Sequence, residues 1–298
     1  MEIALNTYSL RNEWKKIAKR GDVTNVARLC ADLGIGKLEW LDRHVDEERI
    51  KENLKVFEDH GVQVFAFGPH VKLLAKESDV AKEIEDGRHW LNLAHEHGVA
   101  KIRVQVGDGP LFRCFPPMPD FTEEEERDYR EMIDEAVELT GKIALPLVEE
   151  AERLGVYVAI ETHHSYSSNF MYMRGFNEAY GSKYIGWAFD IGNYENDWMR
   201  WQALEVIKGR TFYVHAKAYK FDEAGFETTL DYPRAAKTLA EAGFTGEWSI
   251  EFEGKMNGVL GAARTCELLR YCLAQVSGKS YSMRQDFPPE KELMKKYS

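Results

Sequence analysis

The sequence predicts an α/β protein folded as a single-domain (β/α)8 barrel. Three observations carry the prediction: eight short runs rich in Val, Ile and aromatic residues, amphipathic helical patterns between them, and a glycine recurring where a helix passes into a strand. Short apolar runs are what parallel strands buried on both faces look like. Glycine just past a helix end adopts the left-handed conformation at no steric cost. The chain has 298 residues. Barrels of about 250 residues or more fold as one domain, so length alone does not require two. A doubly wound open sheet shares the alternation and is the competing architecture, but eight repeated units favour closure.

The elements follow in order. The first β-like run covers residues 3–6, and a helical pattern over 23–33 follows with Val26, Leu29, Cys30 and Leu33 on one face. Gly34 closes it. Run two (37–40), helix 50–60 with Gly61, run three (62–67) and helix 80–97 with Gly98 repeat the unit. Run four (101–106) leads into a long loop, 107–122, holding Pro110, Pro116, Pro117 and Pro119 with Phe112, Phe115 and Phe121. Loops this long are usually functional, and this one is expected to cover the barrel mouth. Thr122 and Glu125 are spaced as a capping box for helix 123–153, which ends before Gly155. Run five (156–161), run six (185–190), helix 198–208, run seven (211–216), helix 232–242 with Gly243, run eight (247–252) and helix 259–276 complete the barrel, residues 1–277. The C-terminal extension, 278–298, is polar, with Pro288-Pro289 and four lysines, and is expected to pack loosely or to contact a partner subunit.

Composition excludes several classes. Hydrophobic residues at 44% and charged residues at 30% are an ordinary soluble balance, not that of a collagen-like, disordered or membrane-embedded chain. A net charge of −11 repels phosphate backbones and anionic membranes, so neither nucleic acid nor membrane is expected as a partner. The four cysteines form no CxxC pair and read as free thiols in a reducing compartment. With no basic, apolar leader and no apolar run of about 18 residues, the expected location is cytoplasmic. A homo-oligomer is compatible with the sequence.

Barrel chemistry sits where strands end. Run five ends at Glu161, run six at Asp190, run eight reaches Glu251, and run seven carries His215. Singly, each has a bland reading as an ion-pair partner, a turn cap or a core histidine. Together they put three carboxylates and an imidazole at equivalent positions on four consecutive strands. The carboxylates would repel one another without a cation, so a divalent metal is the natural neutraliser. Mostly oxygen ligation suits Mn2+, Mg2+ or Co2+, and one imidazole also suits Zn2+. There is no glycine-rich phosphate cradle, no Ser-His-Asp order and no dinucleotide fingerprint.

The strings Ile160-Glu161-Thr162-His163, Phe189-Asp190-Ile191-Gly192-Asn193, Val214-His215-Ala216-Lys217 and Ile250-Glu251-Phe252-Glu253 resemble the sugar phosphate isomerase/epimerase family of the xylose isomerase-like TIM barrels. The resemblance covers nearly the whole chain. It implies one metal held by Glu161, Asp190, His215 and Glu251. It also implies proton abstraction next to a carbonyl through an enediolate, with Glu161 and Glu251 as acid/base catalysts on opposite sides of the substrate. By the same resemblance Glu39, His70 and Lys217 line the substrate pocket; Asn193 can still bind a substrate hydroxyl, and either one of His163 and His164 faces the site or the pair is solvated. Trp40, Phe112 and Phe115 offer aromatic faces for a polyol. Asn193 stands where ketose 3-epimerases carry a histidine, Ala218 where relatives carry an aspartate, and no arginine follows His215 closely. The family's three-zinc DNA-repair nucleases need histidines absent at 193 and 221–224. The expected function is a metal-dependent isomerase or epimerase of a small carbohydrate. The alternatives are a dehydratase acting on a keto-inositol or related keto-polyol, and a non-catalytic carbohydrate-binding barrel.

Overall fold

The computed structural model describes residues 1–107 and 122–297. Loop residues 108–121, with Phe112, Phe115 and Cys114, lie outside the described residues, and with them the expected cover over the mouth. Eight parallel strands close into a barrel in sequence order: β1 (Glu2–Asn6), β2 (Lys37–Leu41), β3 (Gln63–Gly68), β4 (Lys101–Gln105), β5 (Tyr157–Glu161), β6 (Ile185–Asp190), β7 (Thr211–Ala218) and β8 (Glu247–Phe252). All eight runs expected from the sequence are strands, each within two residues of its expected bounds. The helices are α1 (Trp14–Ile17), α2 (Thr24–Asp32), α3 (Ile50–Asp59), α4 (Val80–Glu96), α5 (Glu123–Leu154), α6 (Phe170–Ala179), α7 (Asp197–Ile207), α8 (Tyr232–Glu241), α9 (Gly258–Val276) and α10 (Glu290–Tyr297).

Gly34, Gly61, Gly98, Gly155 and Gly243 all have φ between 61° and 80°. At each, the chain reverses from helix to strand through the left-handed region, as expected of a C′ residue. The Thr122–Glu125 capping box forms at the start of α5. Asn169, Asn196, Asp231 and Asn257 cap α6, α7, α8 and α9 with side-chain oxygens.

The chain divides into two contact units, residues 1–67 with 213–298, and residues 68–212. In the first, strand alternation separates two faces. Trp40, Val214, Trp248, Ile250 and Phe252 point to the helical layer, where Trp40 meets Phe57 of α3 edge-on at 5.4 Å. The opposite face is polar: Lys37 and Glu39 on β2, Tyr213, His215 and Lys217 on β7, Glu247, Ser249 and Glu251 on β8. β7 and β8 are in register at His215↔Ser249 and Lys217↔Glu251, and β1 and β2 at Asn6↔Glu39. In the second unit, Trp187 packs on Phe176 at 5.6 Å. Gly186 admits the backbone of Arg210, whose carbonyl oxygen would lie 2.5 Å from an added Cβ.

The C-terminal extension docks on its own chain. Tyr297 of α10 is buried, its hydroxyl donates to Asp32 of α2 at 2.7 Å, and Lys296 pairs with the same carboxylate at 2.8 Å. Burial of an aromatic ring at the end of α10 holds a tail whose composition suggested loose packing. Cys30, Cys266 and Cys272 are free and buried, and burial pushes the Cys30 thiol up to about 12. No helix among the described residues is long and apolar enough to cross a membrane.

Candidate metal centre

In the first unit the polar face converges on His215. Its ring is fully buried, with Nε2 2.9 and 3.1 Å from the two oxygens of Glu39, and Nδ1 2.8 Å from Oε2 of Glu251. Asn6 at the end of β1 donates through Nδ2 to the same Glu251 oxygen at 3.1 Å. Its amide orientation is set by the Tyr8 backbone N–H, which donates to Asn6 Oδ1 at 2.8 Å. Glu251 Oε1 accepts from Lys217 Nζ at 2.7 Å, and Lys217 reaches Glu253 at 3.1 Å. Glu253 also accepts from the Tyr8 hydroxyl at 2.7 Å. Burial, then this carboxylate, raises the Tyr8 pKa, so Tyr8 stays a donor at neutral pH.

In the second unit Glu161 ends β5 and is buried. Its Oε2 accepts from Gln105 Nε2 at 3.1 Å and lies 3.2 Å from Arg103 Nη1. Both partners come from β4, in register at Gln105↔Glu161. Asp190 ends β6, fully buried. Oδ1 accepts from the Gly192 backbone N–H at 2.7 Å and Oδ2 from Asn193 Nδ2 at 2.9 Å. Asn193 Nδ2 also donates to the Thr162 carbonyl at 3.1 Å. Beside them Tyr194 is buried, and burial raises its pKa.

The structure brings the four expected ligands together: Glu161, Asp190, His215 and Glu251 are all buried, and one ligand atom from each lies within 4.8 Å of the others. This cluster could hold a metal ion. The donor set tests the fit: the three carboxylates of the cluster, buried together, would repel one another, and a divalent cation is their natural complement. Three oxygens and one nitrogen suit Mn2+, Mg2+, Co2+ or Zn2+.

The other expected site residues scatter. Lys217 touches the centre through Glu251. Asn193 engages Asp190 and the Thr162 carbonyl through its amide nitrogen. Glu39 is fully buried beside His215, with Tyr213 and Ser249 as further donors. Trp40, expected as a pocket wall, faces α3 because it is one residue out of phase with Glu39 on β2, and its indole N–H donates to the His44 carbonyl at 3.0 Å. His70 and His164 are exposed and His163 is half-buried. Phe112 lies outside the described residues. Sequence reasoning missed Asn6, Arg103, Gln105 and Thr162, which hold the ligands. Gln105 is the lateral partner of Glu161, a pairing that only the closed sheet displays.

A family model described as xylose isomerase-like TIM barrel matches residues 27–272. A D-psicose 3-epimerase from Clostridium cellulolyticum H10, crystallised with D-tagatose, shares 14% identity over 92% of this chain and 99% of its own, with a TM-score of 0.66. A protein named IOLI, with a bound zinc atom, shares 17% identity over 95% of this chain and 100% of its own, with a TM-score of 0.64. Mannonate dehydratase from Streptococcus suis shares 15% identity over 97% and 99%, with a TM-score of 0.62. At these identities the likeness to the solved structures is one of fold. Among curated proteins, the C-glycoside deglycosidase alpha subunit of Arthrobacter globiformis is 36% identical over 64 residues. That stretch is 22% of this chain and 18% of the relative. With the family model spanning the barrel from α2 to α9, the chain belongs to the xylose isomerase-like TIM barrel family.

Proposed function

We propose that this chain is a metal-dependent isomerase or epimerase of a small sugar or sugar derivative, acting by proton abstraction next to a carbonyl. The observation that carries the reading is the buried cluster of Glu161, Asp190, His215 and Glu251. A divalent cation held there would act as a Lewis acid on the substrate's carbonyl. Glu161 and Glu251 are the carboxylates to take and return the proton. Arg103 and Gln105 fix one oxygen of Glu161, and Lys217 fixes one oxygen of Glu251, so neither base is free to swing. Burial keeps water from competing for the proton.

A second reading, elimination, shares the first step. It is favoured by the mannonate dehydratase fold neighbour and by the stretch resembling a C-glycoside deglycosidase subunit. The two readings differ in whether a leaving group departs after the proton is removed.

Incubation of ketoses, aldoses and keto-inositols in D2O with added Mn2+, followed by NMR, tests the proposal. Deuterium should enter at the carbon beside the carbonyl of one substrate class. Epimer or isomer formation identifies the first reading, and loss of a hydroxyl or aglycone the second. Glu161→Gln and Glu251→Gln should each lose roughly 10²–10⁴-fold in rate, with metal content measured in the same samples because lost metal would mimic a lost base. A binding protein without activity would show no exchange with any of them, and that result would remove the catalytic reading.

A further inference from the structure

The mechanism leaves Glu39 without a role, although it is among the most buried charged side chains of the first unit. The resemblance suggested a substrate contact. The structure surrounds its carboxylate with protein donors: the Tyr213 hydroxyl on Oε1 at 3.0 Å, the Ser249 hydroxyl on Oε2 at 2.8 Å, and His215 Nε2 within 3.1 Å of both oxygens. We propose that Glu39 is a positioning residue, orienting the His215 ring through Nε2 so that Nδ1 faces Glu251 Oε2. The proposal rests on the metal reading above.

Both Glu39 oxygens lie within hydrogen-bond reach of Nε2, at 3.1 and 2.9 Å, so that edge of the ring is occupied by protein. The other edge, Nδ1, faces Glu251 Oε2 at 2.8 Å, and His215 and Glu251 both belong to the ligand cluster. Asn6 Nδ2 donates to Glu251 Oε2 at 3.1 Å and so fixes the oxygen that Nδ1 faces.

Register explains the convergence on Glu39. Tyr213 and His215 are two apart on β7 and share a face, and Ser249 is the lateral partner of His215 on β8. Glu39 thus receives donors from two strands that also carry the ligands His215 and Glu251. Tyr213 and Ser249 give the carboxylate two anchors besides the imidazole. A carboxylate behind a ligand histidine orients the ring and raises its basicity, and losing such a partner typically costs 10–100-fold in metal affinity.

The test combines two measurements on the full chain at neutral pH: calorimetric titration with Mn2+ and with Zn2+, and 15N NMR of histidine-labelled protein with and without Zn2+. His215→Ala assigns the His215 signals, and thermal melting confirms that each variant is folded. In the wild type Zn2+ should move the His215 Nδ1 signal far more than the Nε2 signal. Glu39→Ala should weaken both cations by roughly 10–100-fold. Glu39→Gln keeps an acceptor at the same place and should recover part of that loss. Tyr213→Phe should weaken binding less than Glu39→Ala. A Zn2+-dependent change centred on Nε2 would overturn the proposal. So would wild-type affinity in folded Glu39→Ala and Glu39→Gln, an outcome that leaves the metal reading intact. A wild type that binds neither cation removes the metal reading together with this one.

Discussion

Asn193 and His44 show how single side chains here are governed by neighbours that a sequence does not display. Asn193 stands three residues after Asp190, where a substrate contact was expected, yet its Nδ2 bridges Asp190 Oδ2 and the Thr162 carbonyl. With Gly192 N–H on the other oxygen, the Asp190 carboxylate is aimed by two donors. Asn193→Ala should therefore weaken metal binding by about 10–100-fold in a calorimetric titration, with little change in melting temperature. His44 is stacked on Trp14 at 3.9 Å, and burial lowers its pKa from 6.5 to about 3. The folded state resists the proton that the unfolded state accepts. Stability is thus full above pH 6.5 and declines as the pH falls from 6.5 towards 3. At pH 5 the loss assigned to this group is about 2 kcal/mol. His44→Gln should flatten that part of the curve of unfolding free energy against pH. An unchanged slope would show that the acid loss arises elsewhere. The ligand residues were legible because they end strands in equivalent places. Their partners Asn6, Arg103 and Gln105 were not, because lateral register is a property of the closed sheet.

At the scale of elements, period and punctuation carried nearly all that was readable. Strands two, seven and eight announce themselves by alternation, and their polar phase is the face that builds the centre. α6 escaped the helical patterns because Met, Tyr and Phe crowd it on more than one face around Gly175. Its one clear signal is Asn169, whose Oδ1 accepts from the backbone N–H groups of Met171 and Tyr172. Two glycines separate conformational from steric demand. Gly155, φ 69°, has open space where a Cβ would go, so Gly155→Ala should cost only the left-handed strain, about 1 kcal/mol, or roughly 2 °C in melting temperature. Gly186 has no such φ, but its Cβ would meet the Arg210 carbonyl oxygen at 2.5 Å and the Phe212 ring at 2.7 Å. Backbone cannot rotate away as a side chain can, so Gly186→Ala should cost more, about 3 kcal/mol. Thermal melts in which Gly155→Ala proves the more damaging would contradict this ordering.

For the whole molecule, closure of the sheet was legible because one unit repeats eight times, whereas the docking of α10 on α2 was not, since it depends on a single ring, Tyr297, finding Asp32 across the sequence. The same scale decides what a metal would do to stability. Its four ligands come from consecutive strands β5 to β8, so a bound ion ties residues from 161 to 251 and has no matching site in the unfolded chain. An ion that binds only the folded state at a hundred times its dissociation constant adds about 2.7 kcal/mol. A chain of 298 residues unfolds with an entropy that converts this into a rise of roughly 4 °C. Melting of the chelator-treated protein with and without Mn2+ should show that rise, and it should grow with the logarithm of ion concentration. His215→Ala removes the one nitrogen ligand of the cluster found among the described residues and should abolish the shift, while Trp198→Ala, at an exposed side chain whose ring contact is Phe170, should preserve it. If His215→Ala melts with the same ion-dependent rise, the ion binds elsewhere, and the buried carboxylates must be neutralised by protons instead.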